Sequence, residues 1–151
     1  MIVQSVALVA TFVFAQSTAA AAPSPIGIWK TIDDDTHEAK ALVEIGEHDG
    51  VLSGRIVKLF RKPGEDPAPA CAKCKGERHD QPVLGMTILW NMHRDDDVWD
   101  GGEILDPKEG KTYRCKLRLA ADGTLEVRGF IGISLLGRTQ VWERQTGETG
   151  W

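Results

Sequence analysis

Beyond its opening stretch, the chain alternates hydrophobic and polar residues with a period of two. In "GKTYRCKLRL", Tyr113, Cys115, Leu117 and Leu119 fall on one face, with Thr112, Arg114, Lys116 and Arg118 on the other. Successive strand side chains point to opposite faces, so this segment predicts a half-buried strand. "VLGMTILWNM" groups Leu84, Met86, Ile88, Trp90 and Met92. "TLEVRGFI" groups Leu125, Val127 and Ile131 against Glu126 and Arg128. "KALVEI" sets Ala41, Val43 and Ile45 against Lys40, Leu42 and Glu44. No segment keeps a helical period beyond a turn or two.

Turn signals separate these runs. "HDGV" (His48 to Val51) and "ADGT" (Ala121 to Thr124) carry Asp-Gly, the strongest short hairpin signal. "RDDDV" is a further tip, and "DPKEGK" (Asp106 to Lys111) has the Pro and Gly of a reversal. The pattern predicts eight strands near 26–32, 38–47, 51–60, 83–93, 97–105, 111–119, 124–131 and 138–145. Many short strands joined by hairpin signals favour an antiparallel barrel or sandwich. The expected fold is all-β, an eight-stranded antiparallel up-and-down barrel. Such a barrel has room for one small ligand, or is just filled by its own side chains.

Two segments interrupt the meander. The loop 61–82 is rich in Pro, Gly and charge, and a loop that long tends to be a lid or a binding element. "GFIGISLLGR" (Gly129 to Arg138) is mostly apolar with three glycines. It reads as a strand end followed by a tight turn or short helix that plugs one end of the barrel. The rival reading is an exposed apolar contact patch.

Composition narrows the class. A chain of 151 residues with 42% hydrophobic and 26% charged content predicts one ordinary globular domain. The net charge of -4 comes without a basic face, so no nucleic-acid partner is expected. The first residues differ in kind. An apolar run from Val6 to Phe14 leads to Ala20-Ala21-Ala22, an A-x-A site, and then Pro23. Residues 1–22 are therefore read as a secretory signal peptide, although the leading segment carries no Lys or Arg. The alternative is a buried apolar strand or helix. The run falls short of the roughly 20 apolar residues that span a bilayer. What remains, residues 23–151, is expected to be a single barrel domain with no transmembrane segment. It would be periplasmic or secreted, where disulfides are permitted.

That compartment bears on "CAKCKGERHD", Cys71 to Asp80. A structural zinc site needs four ligands, and Cys71, Cys74 and His79 supply three at most. A thioredoxin-like pair sits at a helix start, whereas this one lies in a Pro-rich loop. Metal and redox readings stay open, but a Cys71–Cys74 disulfide that stiffens the loop is preferred, with Cys115 a buried free thiol. The acid runs at 33–35 and 95–97 lack calcium-loop spacing and read as solvated turns. Glu103 and Asp106 could form a carboxylate pair, but no nucleophile surrounds them. Gly-x-Ser-x-Gly, phosphate-loop and His-Glu-x-x-His motifs are absent. No catalytic residue, metal or cofactor is assigned, and no enzyme is expected.

If the interior is hollow, the inward positions Trp29, Met86, Ile88, Trp90, Tyr113, Leu117 and Val127 would line it. Tyr113 would supply the polar handle that such pockets need. The same residues could equally fill a solid core.

The strings "GIWKTIDDDT", "CAKCKGERHDQPVLGM", "WDGGEILDPKEGKTYRCKL" and "VRGFIGISLLGRTQVWER" together resemble the bacterial exported family catalogued as domain of unknown function 2147. The resemblance runs from about Ile26 to Arg144. It implies a lipocalin-like (calycin) barrel and a periplasmic or secreted location, and it brings no reaction. Calycins carry Gly-x-Trp on the first strand, with a basic residue near the last strand lying across the indole. Here Gly27-Ile28-Trp29 opens the barrel, and Arg138 or Arg144 is available to close it. The expected function is non-covalent binding of a small apolar or amphipathic molecule. The alternative is a filled barrel acting as a protein-interaction or envelope-structural module, and a third reading is a redox or metal role for Cys71 and Cys74.

Overall fold

A computed structural model describes residues 23–147. The signal-peptide reading at 1–22 lies outside the described residues. Eight strands form: β1 (Gly27–Ile32), β2 (Ala39–His48), β3 (Val51–Leu59), β4 (Thr87–Asp95), β5 (Val98–Asp106), β6 (Lys111–Leu119), β7 (Leu125–Phe130) and β8 (Arg138–Arg144). Each pairs antiparallel with its chain neighbours, and β8 returns to β1, so the sheet closes. The up-and-down barrel expected from the period-two pattern is the observed fold. Among the described residues no helix is long and apolar enough to cross a membrane.

Connections alternate between two ends. At one end the turns are tight. Asp49 and Gly50, with φ of 51° and 78°, make the hairpin that Asp-Gly predicts. Asp96 turns β4 into β5 with φ 53°, and Asp122 Oδ1 accepts from the Thr124 N–H (3.0 Å) in the β6–β7 turn. At the other end lie the longer connections: 33–38, 60–86, 107–110 and 131–137.

The core sits toward the tight-turn end. Trp29, Ile45, Leu52, Leu89, Met92, Leu117 and Leu125 are each at most 1% exposed. Every strand from β1 to β7 except β5 contributes to this set, and β5 adds Trp99 beside them. Full burial of such side chains contributes about 1.5–3 kcal/mol each.

β4 departs from its predicted course. It begins at Thr87 rather than near Val83, because Gly85 takes φ 85° and Gly85 N–H donates to the Ile56 carbonyl (2.8 Å) in a turn. Its register against β3 then slips twice: Leu52 pairs with Met92, Gly54 with Leu89 and Arg55 with Thr87. Each slip inserts one extra residue on β4, and Asn91 sits at φ 56°. A bulge of this kind turns the next residues of its strand to the other face. Ile88 and Leu89 are both buried, Trp90 turns outward and Leu84 is exposed, so the predicted stripe does not share one face.

Candidate functional site

The longer connections surround a cavity of about 1120 Å³ that opens at their end of the barrel. Its wall is built from inward positions one or two pleats above the packed core. Ala41 and Val43 come from β2, Ile56 from β3, Ile88 from β4, Ile104 from β5, Tyr113 from β6, and Val127 and Gly129 from β7. The interior is therefore open at this end, and solid filling is found only toward the tight-turn end. β6 shows the gradient along a single strand: Tyr113 borders the cavity, Cys115 lies below it, and Leu117 is in the packed core.

β8 supplies the polar line of the wall. Trp142 is 1% exposed, and its Nε1–H donates to Gln140 Oε1 (3.2 Å). The Gln140 amide in turn donates to Asp34 Oδ2 (3.1 Å), which also receives Arg138 Nη2 at 2.6 Å. A chain of hydrogen bonds thus runs from the deep wall to the rim. Neither Gln140 nor Trp142 was singled out from the sequence, although both share the inward period of "RTQVWER" with Arg138 and Arg144. An amide between Arg138 and Trp142 on the inward period was the available signal.

The rim carries both signs of charge. The Thr36 and Asp35 N–H groups donate to Asp33 Oδ1 (2.9 and 3.0 Å). Those bonds, with Lys40 alongside, hold the Asp33 carboxyl down to about 2. Lys40 Nζ lies 3.4 Å from Asp33. Glu38 pairs with Lys62, which lowers the carboxyl pKa and raises the ammonium pKa. Arg61 lies 3.5 Å from Glu65, and Lys73 bonds Glu109 at 3.2 Å. Lys108 also lines the opening.

The long loop is an ordered flap against the barrel. Cys71 and Cys74 are joined by a disulfide and are 0% and 4% exposed. Both sulfurs are spent in that bond, so neither is a thiolate ligand, and His79 Nδ1 instead faces the Cys74 carbonyl (3.1 Å). Among the described residues no cluster of metal-binding side chains occurs. Cys71 Sγ lies 3.1 Å from the Pro107 carbonyl oxygen. Gly110 (φ 63°) lets the backbone at Lys73 and Cys74 pack on the β5–β6 turn, where any Cβ would collide with the Lys73 carbonyl. Of the loop's basic residues, Lys73 reaches the rim, whereas Arg78 stacks over the Trp90 ring at 4.4 Å on the outer face.

The sequence-derived candidates therefore divide. Ile88, Tyr113 and Val127 border the cavity. Trp29 and Leu117 lie below it in the packed core, and Met86 is buried in the turn before β4. Trp90 is outside the barrel altogether, donating Nε1–H to Glu103 (3.1 Å) under the Arg78 guanidinium, because the β4 bulges turn it over.

At the closed end Arg144 lies across Trp29, its guanidinium carbon 4.2 Å from the ring centroid. The same side chain donates to the Ser24 and Ile26 carbonyls (2.7 and 3.0 Å), and Trp29 Nε1–H donates to the Pro25 carbonyl (2.7 Å). A Cβ on Gly27 would fall 2.8 Å from Arg144 Nη1, so the glycine makes room for the guanidinium. Arg138 does not take this role. It stands six residues earlier on the strand, roughly 20 Å away at strand rise, and belongs to the rim.

Residues 27–144 match the model of the family described as "Uncharacterized protein conserved in bacteria (DUF2147)". The chain belongs to this family. A solved structure, protein HP1028 from the human pathogen Helicobacter pylori, described as belonging to the lipocalin family, is similar in fold. It shares 20% identity at a TM-score of 0.70, covering 83% of this chain and 85% of that one. No curated protein matches the chain in sequence. The DUF2147 fold in this chain is thus a lipocalin-like barrel.

Proposed function

We propose that the protein is an exported binder that holds one small apolar or amphipathic molecule in the open half of its barrel. The observation that carries this reading is the cavity of about 1120 Å³, bounded by branched aliphatic side chains with Tyr113 and Gln140 among them. Small-molecule sites are commonly apolar clefts of about 300–1,000 Å³ with a few polar groups that fix orientation. An apolar body would lie against Val43, Ile56, Ile88, Ile104 and Val127. A polar head would remain at the rim, where carboxylates and ammonium groups are both in reach. The proposal is one of binding, not catalysis. Location in the periplasm or outside the cell is part of it, supported by the Cys71–Cys74 bridge, which fits an oxidising compartment.

The test is a fluorescence titration with the neutral apolar probe N-phenyl-1-naphthylamine. Saturable binding at one molecule per chain is expected. Val127→Trp, which fills the cavity from β7, should weaken it by roughly tenfold or more, a loss of about 1.4 kcal/mol of binding energy. Equal affinity in the filled variant, or binding without saturation, would sink the proposal. Native mass spectrometry of protein taken from the cell envelope then asks whether a discrete small molecule is retained.

A further inference from the structure

We propose that the β7–β8 connection docks the mouth of the barrel onto an anionic lipid surface. The segment does not plug the barrel, as its composition suggested. It stands at the rim with Ile131, Ile133, Leu135 and Leu136 exposed by 69%, 60%, 84% and 79%. Soluble proteins seldom leave four adjacent large aliphatic side chains in water without a use for them.

The charges around these side chains indicate their cover. From Gly129 to Gly137 the chain carries no ionisable residue, and Arg128 and Arg138 flank the run. Arg128 Nε donates to the Ser134 carbonyl (2.7 Å) and its Nη2 to the Leu135 carbonyl (3.3 Å). Arg114 Nη1 reaches the Gly132 carbonyl (3.4 Å). Arg138 is paired with Asp34 and Arg114 lies within electrostatic reach of Asp100, whereas Arg128 makes no ion pair among the described residues. The tip is therefore an apolar point with cationic groups at its base. That is the arrangement by which peripheral proteins sit in the headgroup region, with the apolar part in the acyl boundary and basic groups at the phosphates.

The backbone supports the same occupant. The Gly132, Ser134 and Leu135 carbonyls accept from the arginines, and the Ser134 carbonyl also accepts from the Gly137 N–H (3.2 Å). The Ile133 carbonyl accepts from the Leu136 N–H (3.2 Å). Backbone groups already paired lower the cost of leaving water for lipid. A second copy fits less well, because two tips meeting face to face would bring Arg114 and Arg128 of each together. The net charge of -4 opposes indiscriminate adsorption to an anionic surface, so docking would rely on the cationic groups at the base of this tip. Ile131 and Leu136 also border the cavity opening, which places the mouth at the lipid.

The inference does not depend on what the cavity holds, and its experiment does not read the cavity. The protein is floated with phosphatidylcholine vesicles containing phosphatidylglycerol, and with phosphatidylcholine vesicles alone. It should rise with the anionic vesicles and fall behind with the neutral ones, and high salt should weaken the anionic binding. Leu135→Asp with Leu136→Asp should abolish flotation, and Arg114→Gln with Arg128→Gln should weaken it by roughly tenfold. All four side chains are at the surface or half-buried, and unchanged melting and probe binding show that the barrel is intact. Leu135→Ala with Leu136→Ala is the milder check, with partial loss expected. Failure to float with anionic vesicles, or flotation indifferent to the Asp variant, overturns the proposal. So does a dimer in sedimentation velocity that the Asp variant dissolves while vesicles are ignored. A soluble protein partner that the Asp variant loses, with vesicles ignored, overturns it equally.

Discussion

The two ends of this barrel are built on the same eight strands and do opposite things. At the closed end the inward positions hold Trp29, Leu52, Leu89, Met92, Trp99 and Leu117, and little space remains. Val43 and Val127, paired with Trp29 and Leu117, mark the boundary; beyond it come Ala41, Ile56 and Gly129, and a cavity opens between them. Between β6 and β7 the pairing runs past the transition without a register break, from Arg114–Phe130 to Leu119–Leu125. The difference is one of side-chain volume. Cohesion is concentrated where rings and long aliphatic chains meet at one end, and open space remains where Ala, Val, Ile and Gly predominate, with Tyr113 and Trp142 also in the wall.

That separation can be broken by mutation. Trp29→Ala should have the largest effect, a loss of about 3–5 kcal/mol in urea unfolding, while the molecules still folded bind probe as before. A change in probe affinity without a stability loss would mean that the two ends are not separate. Next, replacing both Cys71 and Cys74 by Ser should cost about 2 kcal/mol, because the bridge closes a short loop. Hydrogen exchange should rise across 60–86 and not in the strands. Thiol titration of the unfolded, unreduced wild-type chain should find one thiol, Cys115. In the folded chain that thiol should resist alkylation, since burial, with Asp100 adding, pushes it up to about 12. Arg144→Ala should come third, at roughly 1–2 kcal/mol, because it removes the stacking on Trp29 and two carbonyl bonds at the seam.

The smallest effect belongs to the rim. Asp33 is held down to about 2 from an ordinary value of 3.8, so the folded state favours the carboxylate. Its contribution is complete above the unfolded pKa and is lost as pH falls through about 2. Asp33→Asn should therefore be less stable than wild type near neutral pH, with the gap narrowing between about pH 4 and pH 2. Acid titrations of the two proteins followed by circular dichroism check this. A gap that persists to the lowest pH would assign the effect to the side-chain amide instead of the charge.

The strands and their turns were legible because a period of two and an Asp-Gly pair are local properties. β4 was not. A bulge depends on how a strand pairs with its neighbour, and nothing in "TILWNM" announces the two extra residues that turn Trp90 outward. The choice between Arg138 and Arg144 was likewise settled by position along β8, since only the residue paired with Trp29 can cover it. The cavity was illegible for a different reason. Its volume is the sum of small choices on all eight strands, and no single segment reveals it. Gln140 could have been found, since it is a polar residue on the inward face of a regular strand.

The polar contacts around the mouth have a mechanical consequence. Arg138 and Gln140 tie the last strand to the 33–38 loop at Asp34, Glu38 ties that loop to Lys62, and Lys73 ties the flap to Glu109. Among the described residues no hydrogen bond or ion pair joins the Asp106–Gly110 turn to the 131–137 segment across the remaining side. The rim is a split ring, fastened on three sides and cut on the fourth. Under the binding role proposed above, a guest entering at the cut would break no polar contact of the rim, and it would pass beside Ile131 and Leu136.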